Sequence, residues 1–269
     1  MELSIIINHY KTPVILKLCL KYLFENLPSN LESEVILVDG ETQRETKEIL
    51  KNYPSIIFVP FKKNVGFAKL ANTGIRKSKG EFIFLINADI IIDGKENILK
   101  MLNYMKKNPD VGILGPKLLN INGSFQQSCF RFYTPLTVIC RRTYLGNTFF
   151  CKKNLEKFLM KDIFENPSKE KKPVEVDWVM GSALLIRKKS IEKIGLFDER
   201  FFMYFEDVDL CKRFWKVNQK VVWFPEAVFY HYHLKASKGK KGIFDILFNK
   251  YTRIHLISAI KYFIKHKIT

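Results

Sequence analysis

The sequence predicts an α/β fold with a mostly parallel sheet and helices on both of its faces. Two observations lead to this prediction. Short runs that are apolar on both faces alternate with amphipathic segments of helical length through the first 115 residues, and strands buried on both faces are typical of parallel sheets. The chain has 269 residues, 47% of them hydrophobic, which is enough to bury a sizeable core in one large domain.

The predicted elements follow one another from the N-terminus. Strands are predicted at residues 3–7, 34–38, 56–60 and 81–86, with helices at 12–27, 44–52 and 67–77 between them. Residues 113–119 and 124–128 form a predicted hairpin that turns at Asn122-Gly123. The charged, weakly periodic residues 140–172 are predicted to be a mobile insertion or lid. Regular structure returns at residues 176–187, in a helix that ends near Gly195, and at residues 221–229.

The chain is strongly basic, with 45 Lys and Arg residues against 27 Asp and Glu residues and a formal net charge of +18. Such an excess favours polyanionic partners, which include nucleic acid, an anionic membrane surface and phosphorylated substrates. Composition alone does not choose among the three.

The five cysteines are scattered, odd in number and without a CxxC pair. This pattern argues against a disulfide framework or a zinc ribbon and predicts a reducing compartment. The N-terminus lacks the features of a signal peptide, and no apolar stretch approaches the ~20 residues needed to span a bilayer. We therefore expect a cytoplasmic protein that contacts a membrane only at a surface.

Polar residues follow three of the predicted strands. Ligands of open α/β sheets bind beyond the carboxyl ends of the strands, so these residues are candidates for a binding site. They are Asn8-His9-Tyr10, Asp39-Gly40 and Asn87-Ala88-Asp89. Two of the three groups end in or contain an acid, which suits a base, a ribose or a metal ion better than a bare phosphate.

Asp89 ends an apolar strand, where an acid has no packing role. A carboxylate in that place can hold a hard divalent cation, which neutralises negative charge on a leaving group without proton transfer. The structural alternative is that Asp89 caps a turn or a helix.

Glu206 and Asp207 follow the aromatic run FFMYF and precede a helical segment. A carboxylate beside apolar surface is partly desolvated, which strengthens it as a base toward a hydroxyl proton. The alternative is that acids are favoured in a first helical turn by the helix dipole. That alternative accounts for Asp209, which can pair with Arg213 four residues later.

Seven motifs occur in a characteristic order. They are SIIINHYKT near the start, VDG at 38–40, NVGFAKLAN at 64–72, FLINAD at 84–89, DWVMGSALLIRK at 177–188, IGLFDERFFMYFEDVDLCKR at 194–213 and FPEAVFYH at 224–231. Over roughly residues 3–237 this set resembles family 2 inverting glycosyltransferases with the GT-A fold, especially the rhamnosyltransferase-like subgroup. The resemblance implies transfer of a sugar from a nucleotide-sugar to an acceptor hydroxyl, with Mg²⁺ or Mn²⁺ as the cofactor.

The resemblance also implies roles for individual residues. Asp207 matches the general base, Glu206 would orient it or bind the acceptor, and Asp89 with His231 would hold the metal, His233 being an open alternative to His231. The donor nucleotide would contact Asn8, Tyr10, Asp39, Asn64, Gly66, Asn72 and Asn87, and the acceptor would contact Trp178 and Gly181. Local alternatives stay open: Asp39 as a turn residue, His231 as a strand histidine with a satisfied hydrogen bond, and Trp178 as plain core. Asn87-Ala88-Asp89 stands where the family carries a DxD-type motif, and VDGETQR stands where it carries VDNxSxD.

By resemblance, residues 1–115 form the nucleotide-sugar-binding half of a domain that ends at residue 237, and residues 116–237 form its acceptor-binding and catalytic half. Residues 238–269 are predicted to be a basic, amphipathic helical tail, which either docks on the domain or lies on an anionic membrane. The expected donor is dTDP-L-rhamnose, with a UDP-hexose second. The expected acceptor is a glycan or lipid-linked oligosaccharide at the inner face of the plasma membrane.

Two other functions remain as alternatives. A nucleotidyltransferase acting on sugar phosphates would normally have a Gly- and Arg-rich triphosphate loop near the first strand, and NHYKTP offers none. A basic nucleic-acid-binding module would account for the charge, but the lysines are spread along the chain and no nucleic-acid motif occurs. No nucleic-acid partner is therefore predicted.

Overall fold

The computed structural model describes residues 1–165, 171–232 and 249–267. The strands are β1 (Leu3–His9), β2 (Ser33–Asp39), β3 (Ile57–Pro60), β4 (Phe82–Asn87), β5 (Ile90–Ile91), β6 (Val111–Leu119), β7 (Phe125–Gln126), β8 (Cys129–Phe130), β9 (Val174–Glu175), β10 (Trp178–Val179), β11 (Ala183–Arg187) and β12 (Lys220–His231). The helices are α1 (Pro13–Asn26), α2 (Arg44–Leu50), α3 (Phe67–Lys77), α4 (Glu96–Lys107), α5 (Pro135–Arg142), α6 (Phe149–Phe158), α7 (Lys161–Phe164), α8 (Lys188–Ile194), α9 (Glu206–Trp215) and α10 (Lys250–His266). A short 3-10 helix, Tyr144–Asn147, joins α5 to α6.

Ten of the twelve described strands form one sheet, whose main path runs β3-β2-β1-β4-β11-β6-β12-β5, and β8 and β10 pair in a second, two-stranded sheet. Strands β3, β2, β1 and β4 are parallel to one another, and β6 is parallel to β12. Strand β11 is antiparallel to both of its neighbours, β4 and β6. The predicted α/β fold with a mostly parallel sheet is confirmed.

Helices cover the sheet on both faces because alternate strand residues point to opposite sides. On one side, Ile5 and Ile7 of β1 belong to a buried cluster with α1 and α4. On the other side, Ile6 belongs to a buried cluster with α3 and α9. With both sides covered, β1 is buried at every position, which is why it appears in the sequence as a continuous apolar run.

The predicted hairpin is also confirmed. Strand β7 pairs antiparallel with the end of β6, so that Leu118 faces Gln126. Across the turn, the N–H of Asn120 donates to the carbonyl of Ser124 at 2.8 Å. Gly123 at the turn has a φ of 79°, a conformation that glycine adopts without strain.

The structure describes residues 140–165 and 171–172 of the predicted mobile insertion. Residues 140–165 are mostly helical, and Phe158, Met160 and Ile163 are buried in the main core. The Phe158 ring lies 5.2 Å from that of Phe130, centroid to centroid. Each helix here is short and buries only a few side chains, so the hydrophobic period was too weak to detect.

Cys140 at the end of α5 and Cys151 in α6 form a disulfide bond. The prediction that the cysteines remain unpaired is therefore wrong for this pair, and cysteine usage no longer supports a reducing compartment. The other three cysteines are free and buried. The pair forms because α5 and α6 pack side by side, a contact that spacing along the sequence does not reveal.

The last helix, α10, docks on the domain. His266 and Lys265 both contact the buried carboxylate of Asp209, at 2.9 Å and 2.6 Å respectively. The Ser258 hydroxyl donates to the carbonyl of Met203 at 2.9 Å. Burial alone would raise the pKa of Asp209, but these two basic groups and Arg213 outweigh it and hold the pKa below its ordinary value.

Docking of the tail is thus confirmed for residues 250–266, while the predicted start of the tail at 238–248 lies outside the described residues. None of the helices in the described ranges is long and apolar enough to cross a bilayer.

Candidate active site

An open cleft of about 650 Å³ lies at the carboxyl ends of β1 and β4. These two strands are parallel neighbours, and Asn8 pairs in register with Asn87, so the residues that follow both strands meet at one edge. Five of the residues predicted to bind the donor or the metal line the cleft, namely Asn8, Tyr10, Asn64, Asn87 and Asp89. Phe67 and Leu70 of α3 supply an apolar wall.

Two side chains at the strand ends have polar atoms that the protein itself does not satisfy. Asn8 is buried, and neither its Nδ2 nor its Oδ1 has a hydrogen-bond partner in the described part of the chain. The same holds for Oδ2 of the buried Asp39. Buried polar atoms are nearly always hydrogen-bonded, so this arrangement suits a polar ligand that supplies the missing partners.

His9 connects the cleft to Asp39, and the sequence analysis did not assign it a role. The backbone N–H of Thr12 donates to His9 Nε2 at 3.1 Å, so that nitrogen must be the unprotonated one. His9 Nδ1 then donates to Asp39 Oδ1 at 3.0 Å. His9 lines the cleft and Asp39 lies behind it, so His9 fixes the orientation of the Asp39 carboxylate.

Asp89 and His231 face each other at the same edge of the sheet. Strand β5, which follows Asp89, pairs with the end of β12, and the N–H of Tyr232 donates to the carbonyl of Asp89 at 2.8 Å. His231 Nε2 lies 3.4 Å from Asp89 Oδ1. The other ring nitrogen, Nδ1, lies 3.1 Å from Gln126 Oε1 and donates to it. Nε2 thus faces a carboxylate oxygen, an arrangement in which the two groups can bind a cation together.

The residues present fit a divalent metal ion. Asp89 Oδ1 is buried and accepts no hydrogen bond within the described ranges. Carboxylate and imidazole ligands together are compatible with Mg²⁺ or Mn²⁺, and the imidazole fits Mn²⁺ better. No group of three or more His, Cys, Asp or Glu residues in these ranges is arranged around a metal position. Gln126, which orients His231, was not found from the sequence; His233 lies outside the described residues.

Glu206 and Asp207 form the first residues of α9. Tyr204 and Phe205 before them have φ values of 68° and 67°, an uncommon conformation for residues with large side chains. Strained backbone of this kind persists where the surrounding structure enforces it, often at functional sites. The turn places both acids against the aromatic core instead of in solvent.

The Asp207 carboxylate is half-buried and held by two backbone donors. The N–H of Gly181 donates to Oδ2 at 2.9 Å, and the N–H of Val208 donates to Oδ1 at 2.9 Å. Burial raises the pKa of Asp207, and these N–H groups limit the rise. Glu206 is buried, and its pKa lies well above the ordinary value because of burial first and the Asp207 charge second. Its Oε2 has no hydrogen-bond partner among the described residues.

A short path connects Asp207 to the cleft. Gly181 holds the Asp207 carboxylate, and the next residue, Ser182, accepts a hydrogen bond from the N–H of Asn87 at 2.9 Å. A Cβ on Gly181 would lie 3.3 Å from Asp207 Oδ2 and 3.4 Å from Phe67 Cζ, and Phe67 lines the cleft. Asp207 is therefore adjacent to the cleft that Asp89 lines. Gly181, expected to form an acceptor wall, instead positions Asp207.

Two of the predicted site residues are structural. Trp178 is buried, with its ring stacked 4.5 Å from Phe130 and its Nε1–H donating to the carbonyl of Arg131 at 2.9 Å, so the prediction of an acceptor contact is wrong. Asn72 is buried and exchanges two hydrogen bonds with the backbone of Phe197. Its prediction as a nucleotide contact is also wrong, because both ends of its amide are used to hold α3 against the segment before α9.

Gly66 lies between the cleft wall and the segment before α9. Its φ is 86°, and its N–H donates to Oδ1 of Asn64 at 2.9 Å. A Cβ at this position would lie 2.5 Å from the carbonyl oxygen of Phe202, which accepts the N–H of Phe67. Glycine is thus required both for the backbone conformation and for the close approach of two segments.

Gly66→Ala is therefore expected to lower the free energy of unfolding by about 3 kcal/mol, because backbone strain and a steric clash act together. The matched control is Gly123→Ala. Gly123 also has a positive φ, but nothing lies within 4 Å of its Cβ position, so a loss of only about 1–2 kcal/mol is expected. Chemical denaturation of both variants measures the difference. Equal losses would mean that the contact with Phe202 does not constrain the fold.

The chain resembles several known proteins in sequence and in fold. The model of Glycosyl transferase family 2 matches residues 4–195. The chain is 29% identical over 218 residues to the N-acetylglucosaminyl-diphospho-decaprenol L-rhamnosyltransferase of Mycobacterium tuberculosis, covering 77% of this chain and 68% of that protein. It is 24% identical to rhamnosyltransferase WbbL of Escherichia coli K12, covering 93% and 89%. The mannosyltransferase PcManGT from Pyrobaculum calidifontis, solved with GDP-Man and Mn²⁺, superposes with a TM-score of 0.62 at 15% identity, covering 98% of this chain and 64% of that one.

Proposed function

The chain belongs to glycosyl transferase family 2, and on that premise we propose that it transfers L-rhamnose from dTDP-L-rhamnose to a hydroxyl of a lipid-linked glycan. It is a glycosyltransferase enzyme with the GT-A fold, and its relatives include rhamnosyltransferases. The family match supports this function and gives no support to the nucleotidyltransferase or the nucleic-acid-binding module.

The position of Asp207 is the observation that carries the proposal. Its carboxylate is half-buried, its pKa is raised by burial, and two backbone N–H groups fix its orientation. A carboxylate with a raised pKa accepts a proton more readily than one in water. Asp207 is also linked to the cleft edge, because it accepts the N–H of Gly181, and the carbonyl of the next residue, Ser182, accepts the N–H of Asn87 in the cleft.

In the proposed reaction, Asp207 takes the proton of the acceptor hydroxyl as its oxygen attacks the anomeric carbon of the donor. A bond from that carbon to the acceptor oxygen forms, and the bond to the diphosphate oxygen breaks on the opposite face. The configuration at the anomeric carbon is thereby inverted. Because one base and one nucleophile suffice, the enzyme contributes mainly by positioning the two substrates and by stabilising charge.

The cleft would bind the donor. Asn8 has unsatisfied amide atoms for the nucleotide, and Asp39, fixed by His9, has one unsatisfied oxygen. Asp89 and His231 would hold Mg²⁺ or Mn²⁺, which when bound neutralises the negative charge of the leaving diphosphate. Asn64 and Asn87 line the same cleft and are available to the sugar or the phosphates.

The relatives support the proposed donor and acceptor. Two of them are named as rhamnosyltransferases, and the mycobacterial one acts on an N-acetylglucosaminyl-diphospho-decaprenol. A UDP-hexose is the second candidate donor. An acceptor on a lipid diphosphate agrees with the basic charge of the chain, because both substrates are then anionic.

A thermal-shift panel tests the donor. The chain is melted with Mn²⁺ and, in turn, dTDP-L-rhamnose, UDP-glucose, UDP-N-acetylglucosamine or GDP-mannose. A donor at a hundred times its Kd stabilises the folded state by about 2.7 kcal/mol. We expect dTDP-L-rhamnose to raise the Tm most. Stabilisation by GDP-mannose alone, or by no nucleotide-sugar at all, would refute the donor assignment.

Glu206→Gln is expected to stabilise the folded protein at neutral pH. The folded-state pKa of Glu206 lies above its ordinary value of 4.5, so the folded protein holds this proton more tightly than the unfolded chain does. Stability contributed by the protonated form is present below pH 4.5 and is lost as the pH rises through the folded pKa. Glutamine does not ionise, so the stability of the variant relative to the wild type should grow as the pH rises. Each kcal/mol gained in the free energy of unfolding should raise Tm by about 2–4 °C.

The measurement is Tm against pH, from mildly acidic to neutral, for the wild type and the variant. Glu192→Gln on α8 is the matched control, because Glu192 is exposed and forms a 3.8 Å ion pair with Lys188 at the surface. If Glu206→Gln and Glu192→Gln show the same dependence on pH, Glu206 is not the buried, unsatisfied acid described above.

A further inference from the structure

The helical hairpin formed by α5, the 3-10 helix and α6 has large apolar side chains that the described residues leave exposed. Phe149 and Phe150 are 76% and 81% exposed, and Tyr144 is 72% exposed. Leu136, Ile139 and Leu145 are also exposed. Contiguous exposed apolar side chains of this size mark interaction surfaces in proteins that otherwise bury them.

The exposure does not result from loose packing. On its inner side the hairpin buries Val138 and Phe158 in the core, and the Cys140–Cys151 disulfide links α5 to α6. The hydroxyl of Thr137 donates to Asn154 Oδ1 at 2.9 Å and joins the two helices a second time. The outward apolar residues are therefore presented on a rigid support.

The charge of the hairpin has a single sign. Between Asp110 and Glu156 the chain has no acidic residue, whereas α5, the 3-10 helix and the start of α6 carry Arg141, Arg142, Lys152 and Lys153. Of these four, Lys152 and Lys153 are exposed on α6, close in the chain to Phe149 and Phe150, whereas Arg141 packs over the rings of Tyr133 and Phe158. Aromatic and aliphatic side chains flanked by Arg and Lys are the pattern of a surface that enters a bilayer interface with anionic headgroups.

We propose that this surface docks the protein on an anionic lipid bilayer. The hairpin surface consists of Leu136, Ile139, Tyr144, Leu145, Phe149 and Phe150, flanked by Arg141, Arg142, Lys152 and Lys153. Its aromatic rings insert at the level of the headgroups, and its basic side chains bind the lipid phosphates. A nucleic acid fits less well, because three of the six apolar residues, Leu136, Ile139 and Leu145, are aliphatic and offer no ring on which a base can stack.

The buried residues beneath the hairpin contact the segment that carries the proposed base. Tyr133, two residues before α5, packs with its ring 4.7 Å from that of Phe205, the residue before Glu206. The Asp207 charge contributes to the raised pKa of Tyr133, after burial as the first cause. Resting on the proposed function, this proximity brings a lipid-linked acceptor to Asp207 from the membrane side of the molecule.

Two lysines of α10 are less available to bind a membrane than the sequence suggested. Lys265 contacts Asp198 and Asp209 at 2.7 Å and 2.6 Å, and Lys261 donates to the carbonyl of Arg200 at 2.8 Å. Both therefore hold α10 against the domain. The proposal consequently assigns membrane docking to the hairpin.

Co-sedimentation with vesicles tests the proposal without any sugar donor or acceptor. The intact protein is mixed with vesicles of phosphatidylcholine and phosphatidylglycerol in equal parts, and with vesicles of phosphatidylcholine alone. Binding is expected to the mixed vesicles, to weaken in high salt, and to fall by at least about tenfold in Phe149→Ser/Phe150→Ser because the inserted apolar surface is lost. Lys152→Glu/Lys153→Glu is expected to weaken binding to the mixed vesicles only.

Val14→Ser is the matched control, since Val14 is 78% exposed on α1 and belongs to neither the cleft nor the hairpin. Absence of vesicle binding by the wild type, or equal losses in Val14→Ser and Phe149→Ser/Phe150→Ser, would overturn the proposal. The proposal would also be overturned if light scattering showed that the protein self-associates and that Phe149→Ser/Phe150→Ser abolishes this association. A preference for single-stranded RNA over vesicles would overturn it as well. Because no reaction is measured, failure here leaves the proposed function standing, and failure of the donor panel leaves the docking surface standing.

Discussion

Asp207→Asn is expected to lower the rate of sugar transfer by about 10²–10⁴-fold, the contribution that a positioned general base normally makes. Asparagine has nearly the same shape as aspartate, and its single amide oxygen can accept one of the two N–H groups, that of Gly181 or that of Val208. We therefore expect the fold and the cleft to change little. Donor binding, measured by thermal shift with Mn²⁺, is expected to match the wild type. The loss should therefore appear in kcat and not in the affinity for the donor.

The pH dependence of the wild type supplies a second measurement. Asp207 acts only when deprotonated, and burial raises its pKa above the ordinary value of 3.8. Activity should therefore decline on the acidic side at a higher pH than an exposed aspartate would give. The apparent pKa belongs to the Glu206–Asp207 pair, because the two acids are adjacent. Asp162→Asn on the exposed side of α7 is the control, and retained transfer in Asp207→Asn would place the base elsewhere.

Asp89→Asn is expected to abolish the stabilisation of the protein by donor and Mn²⁺ together and to lower transfer by roughly 10²–10³-fold. Asp89 Oδ1 is buried beside His231 Nε2, and an amide in its place neither neutralises a cation nor binds it tightly. The first readout is the difference in Tm with and without Mn²⁺ at a fixed donor concentration. It requires no turnover, so a slow enzyme still gives an answer.

Asp93→Asn is the matched control for this variant, because Asp93 lies four residues later in the chain and is exposed. Removing one surface carboxylate there should leave the metal-dependent shift intact. An undiminished shift in Asp89→Asn would mean that the donor is bound without this carboxylate, and the metal position inferred from Asp89 and His231 would be wrong.

The sheet could be predicted from the sequence because its strands are buried on both faces. Leu3–His9 and Phe82–Asn87 differ from the predicted ranges by one or two residues at their ends. The helix Phe67–Lys77 was predicted at the observed limits. Since each of these runs owes its apolar character to a whole covered face, the local pattern contains the information that tertiary packing later uses.

The errors concern residues whose role depends on distant partners. Asn72 bonds to Phe197, which lies 125 residues away, and the donor-binding role assigned from a motif could not anticipate that contact. Trp178 lies in a motif of the family but stacks on Phe130 in a small second sheet. The disulfide between Cys140 and Cys151 depends on two helices packing side by side. In each case the deciding neighbour is fixed by topology and leaves no trace in the local sequence.

Sequence order did locate the edge of the sheet where chemistry is expected. Asn8 and Asn87 follow adjacent parallel strands, and the structure brings both to one cleft. The orienting roles of His9 and Gln126 were not predicted. Each acts through a single hydrogen bond, His9 to Asp39 and Gln126 to His231. Such bonds are geometric facts, and a histidine or glutamine in a strand usually has no such function.

Asp209, one turn into α9, ties the final helix of the chain to the helix that begins with the proposed base. Arg213 is its only described cationic partner outside α10, so without Lys265 and His266 a fully enclosed negative charge would keep a single counterion. A substitution in α10 would then be transmitted through α9 to Asp207, although the described residues of α10 do not line the cleft. In a kinetic survey of random variants, we therefore expect some substitutions in α10 to lower activity in the same way as substitutions near Asp207.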